Sequence, residues 1–333
     1  MKLLTVFLLI SGPFVAAHPG EDHTEELAAR QSYFKGRSAN LSHCASKLNT
    51  NGVIERAIHR RALAARGLKQ KRAVLAMRGE ESHAEYTVEQ DPATLFGGNS
   101  SCAMSPEEIV GPYYVEGEYV RSDLVEEQEG IPLELDIQFI DASTCKPVDG
   151  AYIDIWNCNS TGVYGGVINP TNGNGAADPS NIYNTWLRGV QKTDGDGVVQ
   201  FSTLFPGHYI NRTVHIHVMA HLNAQPLANG TLFDTEAAYI SQIYFDQDLI
   251  NSTNAYWPYS TNTQPVTSNA EDFLLNGDLQ AGGDPQAKHI HIGSRLEDGV
   301  LAWITFGINV THSEAVTPAA TYHPALNTTA VCH

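Results

Sequence analysis

The chain has 333 residues, 42% of them apolar and 17% charged, so a sizeable core can be buried, and disordered, collagen-like and coiled-coil readings are excluded. Its formal net charge of −17 is uneven: residues 1–100 hold 13 basic against 10 acidic side chains, and the remainder holds 7 against 27. A surface that acidic repels phosphate backbones and anionic lipid, which argues against nucleic-acid and membrane partners.

Met1 and Lys2 precede an apolar run, Leu3–Ile10, and then small residues up to Ala17. That order reads as a secretory signal cut after Ala17, with a run too short to span a bilayer. Sequons at Asn40, Asn99, Asn159, Asn211, Asn229, Asn251, Asn309 and Asn327 agree with export. Five cysteines, Cys44, Cys102, Cys145, Cys158 and Cys332, would then sit in an oxidising compartment. Their odd count leaves one without an intramolecular partner. A zinc ribbon is excluded, because the chain has no C-x-x-C.

Residues 18–100 form an N-terminal extension or a prosegment. Within it Ile54–Gly79 lacks proline and places Ile54, Ile58 and Leu63 at helical spacing. Trimming at the dibasic Lys71-Arg72 would remove Cys44 and leave four cysteines. From residue 101 to 312 the pattern is of strands. Leu133–Ile140 and Ala151–Trp156 alternate apolar and polar residues, with a turn at Cys145–Gly150 between them. Val198–Phe201 follows the turn signal Thr193–Gly197, and Val214–Met219 and Ala302–Asn309 are further strands. Strands joined by tight turns predict an all-β domain, an antiparallel β-sandwich, followed by a tail over 313–333. Gly162–Asn184 and Tyr256–Gly283 are long, polar and rich in Gly, Asn and Pro, and read as functional loops.

The segment Tyr209–His217 carries the chemistry. In a strand, residues two apart share a face, so His215 and His217 can offer two imidazoles to one ion. A second pair, His289 and His291, shows that the pattern alone is ambiguous. Tyr209 lies six residues upstream, after the Pro206-Gly207 turn, and Arg212 lies between. A phenolate is a hard anionic donor suited to a highly charged cation such as ferric iron, whereas zinc favours Cys, His and carboxylate. Tyr152 and Tyr183 compete with Tyr164 for a ligand role, and an isolated tyrosine is more often a packing residue. Trp156 reads as core, Tyr113 and Tyr114 as pocket or core, and His208 and His221 as structural or solvent-facing.

Five motifs in order resemble the intradiol ring-cleavage dioxygenases of the catechol and protocatechuate type, in their secreted fungal branch. They are Gly111-Pro112-Tyr113-Tyr114, Trp156-Asn157 through Gly162 to Tyr164, Arg188-Gly189-Val190-Gln191 with Thr193–Gly197, Pro206-Gly207 through Tyr209 to His215 and His217, and Ser241–Phe245. The resemblance covers residues 105–310 and implies an intradiol-type β-sandwich with long active-site loops. It implies a mononuclear non-haem Fe(III) held by Tyr164, Tyr209, His215 and His217. It also implies O₂-dependent cleavage of a catechol-type ring between its two hydroxylated carbons. Tyr209 would leave the metal and take a substrate proton, Arg212 would stabilise building charge, and Gln242 would orient the rearranging intermediate. The chain departs from the family pattern in a short Tyr209–His215 segment and in Thr213 where a proline is usual, which creates the Asn211 sequon. A glycan at Asn211 would crowd the pocket, so Asn211 is expected to be unmodified. Two other readings use the same residues: a secreted transthyretin-like binding module, and a divalent-metal hydrolase built on His215, His217 and His221. Colour separates them, since tyrosinate bound to ferric iron absorbs visible light. The preferred catechol and the oligomeric state are not legible.

Overall fold

The protein is seen here as a computed structural model that describes residues 28, 32–35, 37–77, 92–97, 101–104, 110–234, 239–311 and 316–322. The expected leader Met1–Ala17, Cys332, and the sequons at Asn99 and Asn327 lie outside the described residues. The main elements are α1 (Ala45–Thr50), α2 (Val53–Met77), β1 (Ser101–Ala103), β2 (Pro132–Asp141), β3 (Tyr152–Trp156), β4 (Arg188–Lys192), β5 (Val198–Leu204), β6 (His215–His221), β7 (Tyr239–Tyr244), α3 (Gln247–Asn254), α4 (Phe273–Ala281), β8 (Lys288–His291) and β9 (Val300–Ile308).

Two sheets are packed through one apolar core. The first is centred on β2 and β9, with β5 beside β2, and with β1 and β8 beside β9. The second has the order β7-β6-β3-β4 and is antiparallel throughout. Period-two alternation sets the two faces of each strand. Leu133, Leu135, Ile137 and Phe139 of β2 meet Ile153 and Ile155 of β3 and Ile216 and Val218 of β6 in the core.

The expected antiparallel sandwich needs correction in the first sheet. There β2 and β9 run parallel, Val300 pairing with Leu133 and Ile308 with Asp141, and β1 also runs parallel to β9. The chain leaves β2, builds the whole second sheet and returns to β2's flank, a long crossover that permits parallel pairing. Alternation reports which face is buried, not strand direction. The Cys145–Gly150 turn also contains a two-residue strand, Lys146–Pro147, paired with Ile140 and Asp141.

The outer face of the first sheet is covered by α2. Ala62 and Ala65 lie against Leu301 and Trp303. Asp136, polar in the alternation of β2, is nonetheless only 1% exposed, because Arg60 Nε reaches it at 2.7 Å and Arg61 Nε at 3.3 Å. Burial alone would raise the Asp136 pKa, but the two guanidiniums hold it below the usual carboxylate range. Burial lowers Arg61 to about 10 against the pull of Asp136, so the pair stays ionised at neutral pH.

Cys44, just before α1, is bonded to Cys145 after β2. Cys44 is thus paired with a cysteine of the sheet domain, and Cys158 is a buried thiol whose Sγ lies 3.2 Å from Gly207 O. The bond closes a loop across a sequence separation of 101 residues, for which loop-closure entropy suggests roughly 4–5 kcal/mol of stabilisation. The double variant Cys44→Ser/Cys145→Ser is expected to lose about 2–5 kcal/mol. Chemical denaturation should show that loss as a lower midpoint with the fold retained in buffer.

Candidate metal centre

The inward face of the second sheet fills the core, so its outward face is left for function. Along β6 that face carries His215, His217, Met219 and His221; along β3 it carries Trp156 and Asp154. His215 is paired in register with Tyr244 and His217 with Gln242.

Two loops bring phenols to the two imidazoles. Tyr164 follows β3 through Gly162, whose φ of +78° and close approach to the His208 carbonyl leave no room for a side chain. Its loop is pinned by buried amides: Asn172 Oδ1 accepts from Tyr164 N at 2.7 Å, and Asn172 and Asn181 Nδ2 both donate to Tyr164 O at 2.8 Å. The Tyr164 ring stacks on Tyr113 at 4.3 Å, and its hydroxyl lies 3.2 Å from His217 Nε2. Tyr209 follows the Pro206-Gly207 turn, and its hydroxyl lies 3.0 Å from His215 Nε2. The two Nε2 atoms are 3.2 Å apart.

Each ring is fixed from behind. His215 Nδ1 donates to Thr213 O at 2.6 Å, which leaves Nε2 as a lone pair facing Tyr209. Trp156 stacks flat on His217, with ring centroids at 4.8 Å and planes 4° apart. Gly111 stands so close to His217 that an added Cβ would lie 3.3 Å from Cε1. Among the described residues His217 Nδ1 has no hydrogen-bond partner, so the ring is held by Trp156 and by the contacts of its Nε2.

The electrostatics point the same way. Burial, reinforced by Arg212, pushes both imidazoles well below their usual pKa, so both are neutral and able to donate lone pairs. Burial raises Tyr164 and Tyr209 well above a normal phenol. Only a cation placed among these four atoms would reverse the penalty on the phenolates. Two neutral imidazoles and two phenols converging in a dry site are a donor set that fits a hard, highly charged metal ion.

Arg212 stands beside this set. Its Nε donates to Asp272 Oδ2 at 2.8 Å, and its Nη2 donates to Gln242 Oε1 at 2.5 Å and to Tyr244 Oη at 3.0 Å. Asp272 also accepts from Thr213 N at 2.9 Å and caps α4 through Leu275 N at 2.9 Å. One buried carboxylate thus ties together the arginine, the residue that holds His215, and a helix. The sequence reading placed α4 in a loop and missed Asp272. The signal available was the cap itself, Asp before Phe273-Leu274-Leu275. Asn211 is exposed at the turn beside Arg212, with φ +64°.

His221, the third residue of the hydrolase reading, is not part of this cluster. Its Nδ1 lies 3.0 Å from Asp234 and its Nε2 3.8 Å from Asp154, so it is a buried partner of acids, while His208 is held between Asn254 Oδ1 and Gln264 O. Next to it Glu118 receives Arg188 Nη1 at 3.0 Å. Arg188 in turn donates to Gly165 O at 2.7 Å and Tyr113 O at 2.6 Å, holding the Tyr164 loop. Gln191 bonds Gln200 O, outside the cluster.

Burial opposes charge on His221, but the carboxylates of Asp154 and Asp234 beside it outweigh that and raise its pKa to about 9. Because the folded value lies above the ordinary 6.5, this stabilisation is complete below pH 6.5 and is lost as pH rises through 9. Urea midpoints are therefore expected to fall between pH 7 and 10, and His221→Gln should flatten that fall.

The chain is similar to several known proteins. Residues 109–260 match a family model described as Dioxygenase. Catechol 1,2-dioxygenase 1 of Acinetobacter lwoffii is 31% identical over 136 residues, a match spanning 34% of this chain and 40% of that protein, less than half of its length. The dioxygenase domain of a dioxygenase carbohydrate-binding protein fusion from Streptomyces sp. SirexAA-E is 24% identical, covering 61% of this chain and 96% of that one, with a TM-score of 0.39. The intradiol ring-cleavage dioxygenase from Tetranychus urticae is 31% identical over 66% of this chain and 99% of that one, with a TM-score of 0.51. With almost the whole of that structure covered at this identity, the chain belongs to the intradiol ring-cleavage dioxygenases, a family of oxidoreductases.

Proposed function

We propose that the protein binds one ferric iron through Tyr164, Tyr209, His215 and His217 and uses O₂ to cleave catechol-type rings between their two hydroxylated carbons, giving muconate-type diacids. The observation that carries this reading is the convergence of two phenol oxygens and two imidazole Nε2 atoms through contacts of 3.0–3.2 Å. Bound there, the metal would withdraw electron density from a chelating diol and make its ring reactive toward O₂.

The chain's own groups supply the rest. Tyr209 is the more accessible phenol, 7% exposed against 0% for Tyr164, and its oxygen is the base for a substrate proton. Tyr164, stacked on Tyr113 and pinned by two asparagines, stays in place. Arg212, held by Asp272, offers a fixed positive charge to the carboxylates as they form. Gln242 presents a buried Nε2 without a hydrogen-bond partner, and it orients an oxygen of the opening ring. Trp156, Tyr113 and Met219 pack around the site and keep water out. Catechol and O₂ are both neutral, so the acidic surface does not repel them.

The reading extends to secretion. The leader Met1–Ala17, the sequons and the Cys44–Cys145 bond all suit an oxidising compartment.

The test is oxygen uptake by iron-loaded protein over a small catechol panel. One O₂ is expected to be consumed per ring opened. Gln242→Ala should lower kcat by roughly 100- to 1000-fold, the range for loss of one oriented donor, with iron content unchanged. Iron-loaded protein that takes up no oxygen with any catechol would favour a binding module instead.

A further inference from the structure

The second HxH pair lies away from the proposed iron centre and is not used by it. It sits on β8, antiparallel to β9, where Lys288 pairs with Trp303 and His291 with Val300. Ile290 turns toward Leu301 and Trp303, so His289 and His291 share the opposite face of the strand. Their ring centroids are 5.7 Å apart with planes at 69°; the corresponding values for His215 and His217 are 4.7 Å and 74°. The two pairs resemble each other in another respect. His215 is fixed through Nδ1 by Thr213 O, and His289 through Nδ1 by Asp246 Oδ2 at 3.2 Å. A carboxylate on Nδ1 sets the tautomer, directs the Nε2 lone pair outward and raises its basicity, as is usual behind a metal-bound histidine. Burial lowers the pKa of His289, which keeps it unprotonated at neutral pH. His291 is exposed, which leaves room for water ligands.

We propose that His289 and His291 chelate one divalent transition-metal ion of the copper or zinc type at the protein surface, with Asp246 orienting His289 and water completing the coordination. Two imidazoles suit this class of ion, and among divalent first-row metals Cu²⁺ binds nitrogen donors most tightly, which makes it the probe. With two protein ligands the ion is exchangeable, unlike one enclosed by four.

The experiment titrates iron-loaded protein with Cu²⁺ at neutral pH, reading binding by calorimetry and ligation by electron paramagnetic resonance. One equivalent with nitrogen hyperfine structure from imidazole is expected. His289→Ala and His291→Ala should each weaken binding at least tenfold, and Asp246→Asn by about 10- to 100-fold. Circular dichroism checks that the variants fold, and Cu²⁺ should displace Zn²⁺ bound beforehand. Copper bound equally well by the His289→Ala/His291→Ala double variant, or no saturable binding by the wild type, would overturn the proposal. Because iron stays in place and its visible absorption is read in the same sample, failure at this pair is separable from failure at the iron centre.

Discussion

The structure depends on a conflict at one point. Two imidazole Nε2 atoms stand 3.2 Å apart in a buried site, each faced by a phenol, and burial disfavours charge on all four groups. Hydrogen bonding relieves part of this. His215 is satisfied through Nδ1, but His217 keeps a buried Nδ1 with no partner. A multiply charged cation among the four atoms removes the conflict, because it draws on the lone pairs and stabilises the phenolates. The proposed chemistry follows from an ion at the point where these four donor atoms meet.

The rest of the fold is arranged around keeping those atoms in place. The second sheet turns its aliphatic face into the core and its histidine face toward the loops, so β6 is anchored on one side and functional on the other. Arg188 and the asparagines at 172 and 181 fix the Tyr164 loop, while Asp272 fixes Arg212 and the approach to His215. On the far side of the sandwich, α2, the Asp136 ion pairs and the Cys44–Cys145 bond brace the first sheet. The N-terminal segment thereby packs on the domain from Leu41 to Leu68.

Sequence showed what is local and hid what is distant. Alternation in Leu133–Ile140 and Ala151–Trp156 marked strands that formed within a residue or two of their expected bounds. Helical spacing after Ile54 marked α2. The His215/His217 spacing put two rings on one face because strand geometry allows nothing else. Bringing Tyr164 to His217 across 53 residues was legible only through the family resemblance, since no local rule predicts that approach. Strand direction was hidden, so the parallel β2–β9 pair was missed. The partner of Cys44 was hidden for the same reason, because two cysteines 101 residues apart carry no pairing signal. Trp156 was expected to be core; it is buried, and it also backs His217, a double duty that a lone aromatic residue does not announce. Asp272 went unnoticed because the short α4, interrupted by Gly277, gave little periodicity.

The most direct measurement is a titration of metal-free protein with ferric iron, followed by visible absorption and proton release. One iron per chain is expected, with a tyrosinate charge-transfer band and loss of both phenolic protons. Tyr164→Phe and Tyr209→Phe should each remove part of the band. Iron that binds without a visible band, or a band left unchanged in both variants, would contradict ligation by these two phenols.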